Sequence, residues 1–333
     1  MSTLKTIVYY LTILLSTLVI AASLLSLLYD VSIWWIKALD FPRLQFLITG
    51  GVCLVVFATI SDRWSFWSVF LLIGLIASIG LQSYFVYSYT PLVEESLKDA
   101  TPEEANSEAV ISLLIANVYM YNRQAADFLE VATTASPDMI LVMETNQWWI
   151  DQLQPLQKQY DYYQEYPASN TYGMALYSRY PWADMQVKFF NHDSVPSFHT
   201  VVQLPRGKSF RFHGVHPVPP VYSKHPDNQG EKEVALLKVG NLMKQHHEPV
   251  IVAGDFNDVA WSNTSRLFQA EGELLDARVG RGLYNTFDAT SWLMRWPLDH
   301  VYASGEFRLV SLRRLGKFGS DHFPLYAELV LIE

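Results

Sequence analysis

Apolar residues are concentrated near the start of the chain, where three long stretches carry no charged side chain. The stretches are residues 6–28, 44–60 and 66–89. A helix needs about 20 apolar residues to cross a bilayer core of roughly 30 Å, and aromatic residues such as those that end the third stretch gather at membrane interfaces. The pattern therefore predicts three transmembrane helices within residues 1–91.

The first stretch has one alternative interpretation, a cleaved signal peptide, because Lys5 precedes it. The stretch is longer than the apolar region of such a peptide, and two further apolar stretches follow it. An uncleaved anchor explains more of the pattern. A buried bundle in a soluble protein is disfavoured because the stretches lack charge.

Basic residues beside the stretches specify the membrane orientation only weakly. Lys5 precedes the first stretch, Lys37 and Arg43 follow it, and Arg63 lies between the second and third. The short N-terminal tail with its lysine favours a cytoplasmic N-terminus. Three crossings then predict that the rest of the chain lies on the non-cytoplasmic side. The single cysteine, Cys53, cannot form an intramolecular disulfide, so cysteine content does not report the compartment.

The remainder of the chain alternates short apolar runs with amphipathic segments. Residues 92–108 are polar and acidic, as is typical of a linker. From residue 109 onward, runs such as "AVISLLIANVYM" and "DMILVMET" predict strands, and "NRQAADFLEVATTAS" between them predicts a helix. The alternation predicts one α/β domain over residues 109–333.

The charge of this domain limits the classes of partner that it is expected to bind. Of 24 basic and 33 acidic residues, four and three precede residue 92, which leaves 20 basic and 30 acidic residues. An acidic domain is a poor general binder of phosphate backbones, whose attraction depends on Lys and Arg. The balance favours a metal-dependent site, or a substrate that is small or presented on a membrane.

Polar side chains recur where the predicted strands begin or end. Each alone has an ordinary explanation as a turn, a helix cap or a buried histidine. Together, carboxylates, amides and histidines suit a hard cation and phosphoryl transfer, whereas a structural zinc site with cysteine ligands is not indicated. No P-loop or Rossmann glycine motif is present. The residues are Asn117, Glu144, His216, Asp255, Asn257, Asp299, Asp321 and His322.

The segments that carry these residues resemble the motifs of the endonuclease/exonuclease/phosphatase superfamily. In order they are "PDMILVMET", "YGMALYSRYP", "HPVPP", "GDFN", "LDHVYAS" and "SDHFPL". The resemblance covers residues 109–333 and implies a four-layer α/β sandwich, two mixed β-sheets flanked by helices, with the site at one end of the sheets. With the three predicted spans, the chain resembles a membrane-anchored bacterial member, integral to the inner membrane.

The resemblance also implies a metal site. Glu144 would be the principal ligand of Mg²⁺, or of Mn²⁺ in its place. Asn117 would lie beside Glu144, and Asp321 would support the ion.

The catalytic roles follow from the same resemblance. Asp255 would align or deprotonate the attacking water, and Asn257 would donate a hydrogen bond to a phosphate oxygen. His322 would contact the scissile phosphate or take a proton, with Asp299 fixing its tautomer. His216 would serve as an acid or as a phosphate donor.

Other residues compete for these roles. His213 lies an odd number of residues before His216, so in a strand it should face the opposite way; His300 should likewise face away from Asp299. Asp258 is expected to be a turn residue. Tyr172, Ser178 and Arg179 are expected near the substrate cleft, with a strand and a turn as the alternative explanation.

Residues 279–297, "VGRGLYNTFDATSWLMRWP", mix arginine with aromatic residues. Such a segment can bind a nucleic acid strand. An aromatic loop that packs on the core or rests on the membrane is the preferred interpretation.

The predicted function is therefore metal-dependent hydrolysis of a phosphoester beside a lipid bilayer, with a phospholipid head group or nucleic acid as substrate. A nuclease is the first alternative. A non-catalytic membrane scaffold with the same fold is the second, although the residues that such a scaffold would lose are all present. A transporter is disfavoured because the apolar stretches lack ionisable residues.

Overall fold

The computed structural model describes residues 3–29, 31, 33–61, 64–219, 235–243 and 248–332. Within them the helices are α1 (Thr3–Leu25), α2 (Trp34–Lys37), α3 (Arg43–Ile60), α4 (Phe66–Tyr87), α5 (Pro102–Ala105), α6 (Ala125–Ala135), α7 (Gln147–Leu153), α8 (Ala235–Met243) and α9 (Asn263–Gly272). The strands are β1 (Val110–Asn117), β2 (Met139–Met143), β3 (Tyr162–Tyr166), β4 (Met174–Ser178), β5 (Trp182–Phe189), β6 (Pro196–Gln203), β7 (Ser209–Val215), β8 (Val250–Asp255), β9 (Leu275–Asp276), β10 (Asp299–Ala303), β11 (Phe307–Arg314) and β12 (Leu325–Leu331).

In the described part of the chain, helices α1, α3 and α4 are long and apolar enough to cross a membrane. They pack against one another through small and polar residues. Ser23 and Ser78 share a hydrogen bond of 2.5 Å, and Gln82 Nε2 donates to Ser23 Oγ at 2.8 Å. Small residues and hydrogen bonds of this kind hold helices together where lipid is the solvent.

The described strands form two mixed sheets. One sheet has the order β11-β12-β1-β2-β4-β3, and the other has the order β5-β6-β7-β8-β10-β9. The pairs β1–β2 and β7–β8 are parallel. The inner faces pack against each other through buried residues such as Leu113, Leu141, Phe212 and Ile251.

Helices cover the outer faces of both sheets. Phe128 of α6 and Trp149 of α7 pack on the first sheet, and Leu236 of α8 and Phe268 of α9 pack on the second. The central strands β1, β2, β4 and β8 are buried on both faces, so they read as continuous apolar runs rather than alternating ones. The predicted four-layer α/β sandwich is confirmed.

The topology brings the predicted polar residues to one edge. Asn117 ends β1 and Glu144 directly follows β2, which runs parallel to β1. Asp255 ends β8, where it pairs with Asp299, the first residue of β10. His322 precedes β12, which runs antiparallel to β1.

The apolar helices end against this same part of the fold. Phe85 and Tyr89 pack with Trp261 and Leu298, and Trp261 Nε1 donates to the Asp40 carbonyl oxygen at 2.7 Å. The segment predicted as a linker continues along β11, since Ala100 N donates to Leu309 O at 2.8 Å. The helices therefore contact the sandwich directly.

Gly254→Ala tests the close approach of β7 and β8. Gly254 has φ +148°, and a Cβ there would lie 1.9 Å from the Val215 carbonyl oxygen. We expect a loss of about 2–4 kcal/mol in the free energy of unfolding, visible as a lower thermal midpoint of the full-length protein. Gly305→Ala is the control, because a Cβ there meets nothing within 4 Å. Equal midpoints for the two variants would contradict the expectation.

Candidate active site

Asn117 links the two sheets at the edge where the polar residues meet. Its Nδ2 donates to Glu144 Oε1 at 3.0 Å and to Asp255 Oδ2 at 2.9 Å, while its Oδ1 accepts from Tyr119 N at 3.0 Å. The opposite amide orientation would direct its oxygen at two carboxylates, so the donor must face them. One buried amide thus holds a carboxylate from each sheet.

Glu144 and Asn257 adopt backbone conformations that are rare for residues with a side chain. Their φ angles are 61° and 53°, in the left-handed region that costs most residues free energy. The turn at Glu144 directs its carboxylate back towards β1, where Met120 N donates to Oε2 at 3.2 Å. Asn257 N donates to Asp255 Oδ1 at 2.8 Å. Both turns position the oxygens of acidic residues.

Asp255, His322 and Asp299 form a second connected group. His322 Nδ1 donates to Asp299 Oδ2 at 2.8 Å, and His322 Nε2 lies 3.6 Å from Asp255 Oδ2. All three side chains are buried. The Asp299 bond fixes the orientation of the His322 ring and leaves its Nε2 facing Asp255.

The two histidines of the site differ in protonation state. Burial alone would lower the pKa of His322, but the carboxylates of Asp299 and Asp255 raise that pKa to about 10, so the ring is an imidazolium at neutral pH. Burial lowers the pKa of His216 to about 4 despite nearby Asp255, so this ring is neutral. Groups with pKa values pushed apart are typical of acid–base sites.

Burial also shifts the pKa values of the carboxylates in the site. It raises the pKa of Glu144 to about 7, against the hydrogen bond from Asn117. It raises the pKa of Asp255, against the charge of His322, and it raises the pKa of Asp321. Desolvated carboxylates that crowd together favour protons or a cation.

The remaining predicted residues lie around these two groups. His216 Nε2 is 3.9 Å from Asp255 Oδ2, and its ring lies 5.5 Å from that of Tyr172. Asn257 Nδ2 donates to the Pro217 carbonyl oxygen at 3.0 Å. Asp321 is half-buried at the margin, where its Oδ1 accepts from Ser320 at 3.3 Å.

One compact group of potential metal ligands lies at this edge. Among the described residues, ligand atoms of Asp255, Asp299 and His322 lie within 4.8 Å of one another. Asp299 and His322 already bond to each other, and a hard cation prefers oxygen ligands. The earlier set of Asn117, Glu144 and Asp321 remains a prediction.

The competing histidines lie elsewhere. The rings of His213 and His199 are 4.7 Å apart between β7 and β6. His300 contacts the Tyr302 hydroxyl at 2.7 Å and the Asp258 carbonyl oxygen at 2.9 Å. His213 and His300 therefore both contribute to the buried structure of the second sheet.

The expectation that Ser178 and Arg179 line the cleft is wrong. Ser178 ends β4 and pairs with Met139, the first residue of the antiparallel strand β2. Because Glu144 follows the other end of β2, the two residues lie at the opposite edge of the sheet. Arg179 instead lies over the Tyr160 ring, 5.2 Å from its centroid.

Two supporting residues were not predicted. Ser320 Oγ donates to the Asn117 carbonyl oxygen at 2.7 Å and accepts from His322 N at 3.0 Å. Thr286 Oγ1 accepts from Asp299 N at 3.1 Å. Ser320 belongs to the quoted "SDH" motif and could have been found there, whereas Thr286 lies in an aromatic segment with no signal.

A family comparison agrees with this geometry. Residues 114–322 match the model of the Endonuclease/Exonuclease/phosphatase family. The chain belongs to this family. The family comprises nucleases and phosphatases, and the matched residues include every site residue described above.

Solved structures similar to this family member share its fold at low identity. The human Nocturnin catalytic domain with bound sulfate is 17% identical with a TM-score of 0.53, over 67% of this chain and 95% of that one. D. rerio TDP2 complexed with a single-strand DNA product is 14% identical with a TM-score of 0.53, over 66% and 99%. An endonuclease/exonuclease/phosphatase from Beutenbergia cavernae is 16% identical with a TM-score of 0.51, over 67% and 72%.

A curated relative matches a shorter segment. The UPF0294 protein of Vibrio parahaemolyticus is 31% identical over 96 residues, which are 29% of this chain and 33% of that protein. The match thus spans about a third of the relative's length.

Thr286→Val tests the support beneath Asp299. The change leaves the buried N–H groups of Leu298 and Asp299 without their acceptor, so we expect a loss of about 1–3 kcal/mol in the free energy of unfolding. Chemical denaturation of the full-length protein measures it. Thr290→Val, at an exposed position of the same segment, is the matched control and should change stability by less than about 0.5 kcal/mol. An equal effect in both variants would contradict the role of Thr286.

Proposed function

We propose that the protein is a membrane-anchored, divalent-metal-dependent phosphoesterase. The observation that carries the proposal is the geometry of buried His322, whose Nδ1 donates to Asp299 Oδ2 at 2.8 Å while its Nε2 lies 3.6 Å from Asp255 Oδ2. A fixed positive charge next to a carboxylate suits a reaction in which water attacks a phosphate anion. Residues 109–333 would form the catalytic domain, with residues 92–108 as a connecting segment and residues 1–91 as an anchor in a bacterial inner membrane.

The donor set suits Mg²⁺ or Mn²⁺. Glu144 and Asp321 offer carboxylate oxygens. Asn117 holds the Glu144 carboxylate in place through a hydrogen bond. The raised pKa of Glu144 comes from burial, and a bound cation would offset the cost of desolvating its charge. When bound, such an ion neutralises charge on the phosphoryl oxygens and polarises the phosphorus centre.

Side chains of the protein carry out the remaining steps, which are activation of water and binding of the phosphate. Asp255, fixed through both oxygens by Asn257 N and Asn117 Nδ2, orients the attacking water and accepts its proton. The His322 imidazolium donates to a phosphoryl oxygen, where preorganised charge is most effective in a buried site. Asn257 and the buried, neutral His216 provide further donors to the phosphate.

A nuclease is the second candidate. The similar D. rerio TDP2 structure contains a single-strand DNA product, and exposed Tyr119 and Tyr121 follow Asn117 in this chain, where bases could stack. The acidic balance of the domain weighs against it. A scaffold without catalysis is disfavoured because Glu144, Asp255 and His322 are all retained.

Hydrolysis of bis(p-nitrophenyl) phosphate by the full-length protein in detergent tests the proposal. We expect turnover with Mg²⁺ or Mn²⁺, its loss in chelator, and a fall of roughly 10²–10⁴-fold in Asp255→Asn and in His322→Ala, because each removes a group that handles a proton. Asp151→Asn on the exposed face of α7 is the matched control and should retain activity. Metal-independent turnover, or unchanged turnover in both site variants, would exclude the mechanism.

Membrane orientation is tested by labelling. In a Cys53→Ser background, Gly305→Cys introduces one thiol in the exposed turn between β10 and β11. We expect a membrane-impermeant maleimide to label it in spheroplasts without permeabilisation, because three crossings from a cytoplasmic N-terminus end outside. Ser2→Cys in the same background should be labelled only after permeabilisation. The reverse pattern would invert the proposed orientation.

A further inference from the structure

A rigid hairpin, Phe287–Trp296, projects from the edge that carries the site. Phe287 and Trp296 pair as an antiparallel bridge, and Asp288 N donates to the Met294 carbonyl oxygen at 3.2 Å. Ser291 Oγ accepts from Met294 N at 2.9 Å and from Leu293 N at 3.2 Å. These bonds fix the backbone of the tip.

The tip of the hairpin is apolar and exposed. Trp292 is 85% exposed, Leu293 55% and Met294 44%. Trp292 is more exposed than any other large apolar side chain in the described residues. A fixed and contiguous apolar surface of this kind marks a contact with a partner or a membrane.

Helix α3 determines the position of the hairpin tip relative to the bilayer. Gln45 Nε2, in the first turn of α3, donates to the Leu293 carbonyl oxygen at 3.0 Å. The 18 residues of α3 span about 27 Å at 1.5 Å per residue, so all of the helix is needed to cross a core of roughly 30 Å. Its first turn must therefore lie at the boundary of the hydrocarbon, and so must the tip bonded to it. Tryptophan is enriched at that boundary.

The base of the same hairpin contacts the site. The rings of Phe287 and His322 are 5.0 Å apart, and Ala289 N donates to the Asp321 carbonyl oxygen at 2.7 Å. From Phe287 to Leu293 an extended chain reaches at most about 20 Å. The site thus opens within that distance of the bilayer surface.

Three cations surround the residue after His322. The charged groups of Arg314, Arg295 and Lys317 lie 4.2, 5.1 and 5.7 Å from the Phe323 ring centre. None of the three has a carboxylate within 4.0 Å among the described residues. In an otherwise acidic domain, such a group favours anionic phosphate near a membrane.

We infer that the hairpin tip inserts into the head-group region of the bilayer that the helices cross, and that the site hydrolyses phosphoesters in the head groups of lipids in that leaflet. The inference rests on the proposed phosphoesterase and adds its substrate class. In the reaction, the oxygen of water forms a bond to phosphorus, the bond from phosphorus to the leaving ester oxygen breaks, and that oxygen takes up a proton.

The position of the hairpin is tested without reference to activity. Full-length protein with Cys53→Ser and either Trp292→Cys or Gly305→Cys is spin-labelled in nanodiscs of phosphatidylethanolamine and phosphatidylglycerol. The label at 292 should be accessible to oxygen and protected from a water-soluble nickel chelate. The label at 305, at the end of β10 that is remote from the site, should show the opposite. Equal exposure of both labels to the chelate would overturn the inference.

Hydrolysis tests the substrate class. The triple variant Trp292→Ser, Leu293→Ser, Met294→Ser is compared with wild type on bis(p-nitrophenyl) phosphate and on nanodiscs that also contain phosphatidic acid, with release of soluble phosphorus measured. We expect unchanged turnover of the soluble ester and a fall of about tenfold on lipid, because apolar contacts with the interface are lost. Arg314→Gln should weaken the lipid reaction, because it removes one of the three cations that attract anionic phosphate.

The outcomes separate the two proposals. Turnover of the soluble ester or of an oligonucleotide without release from lipid would overturn the lipid substrate while leaving the phosphoesterase intact. Lack of turnover on every substrate, with the label at 292 buried in the interface, would refute the phosphoesterase and with it the lipid reaction.

Discussion

The burial of several carboxylates at one edge of two sheets is the constraint on which the rest of the structure depends. Glu144, Asp255 and Asp299 lose most of their contact with water there, and desolvated negative charge is costly unless it is compensated. The chain compensates with the amide of Asn117, with backbone N–H groups and with the imidazolium of His322. Each compensating group also belongs to the proposed catalytic arrangement, so stability and function draw on the same contacts.

The burial of these carboxylates explains local backbone features that conformational propensity alone would disfavour. The left-handed conformation of Glu144 directs its carboxylate to Asn117. Gly254 precedes Asp255 because the Val215 carbonyl oxygen leaves no room for a side chain. Even the N–H of Asp255 meets an uncommon acceptor, the Met143 sulfur at 3.0 Å. The strain at this edge is offset by the large apolar core between the sheets.

Much of this arrangement could be predicted from sequence, and the limits have physical reasons. Charge-free stretches predict α1, α3 and α4, and polar residues at the ends of apolar runs predict the edge of the sheets. Strand periodicity gives the face of a residue but not the end of the sheet, which is why Ser178 was expected at the wrong edge. The role of Thr286 depends on a bond to Asp299, thirteen positions away in a segment without regular pattern. Such pairings arise only when distant segments fold together.

The apolar helices connect to the sandwich through a buried polar group of their own. Arg43 is fully buried, where it bonds to Asp40 and to Gln82 Oε1 at 3.1 Å. The carbonyl oxygen of Asp40 in turn accepts from Trp261, six residues beyond Asp255. A buried charge pair is weak evidence for stability, but its strict geometry can specify one arrangement over others. Because the pair connects α3 and α4 to the loop after β8, it would fix the angle at which the proposed site faces a bilayer crossed by these helices. A substrate held in such a bilayer would then meet the site in one orientation, which a flexible tether could not impose.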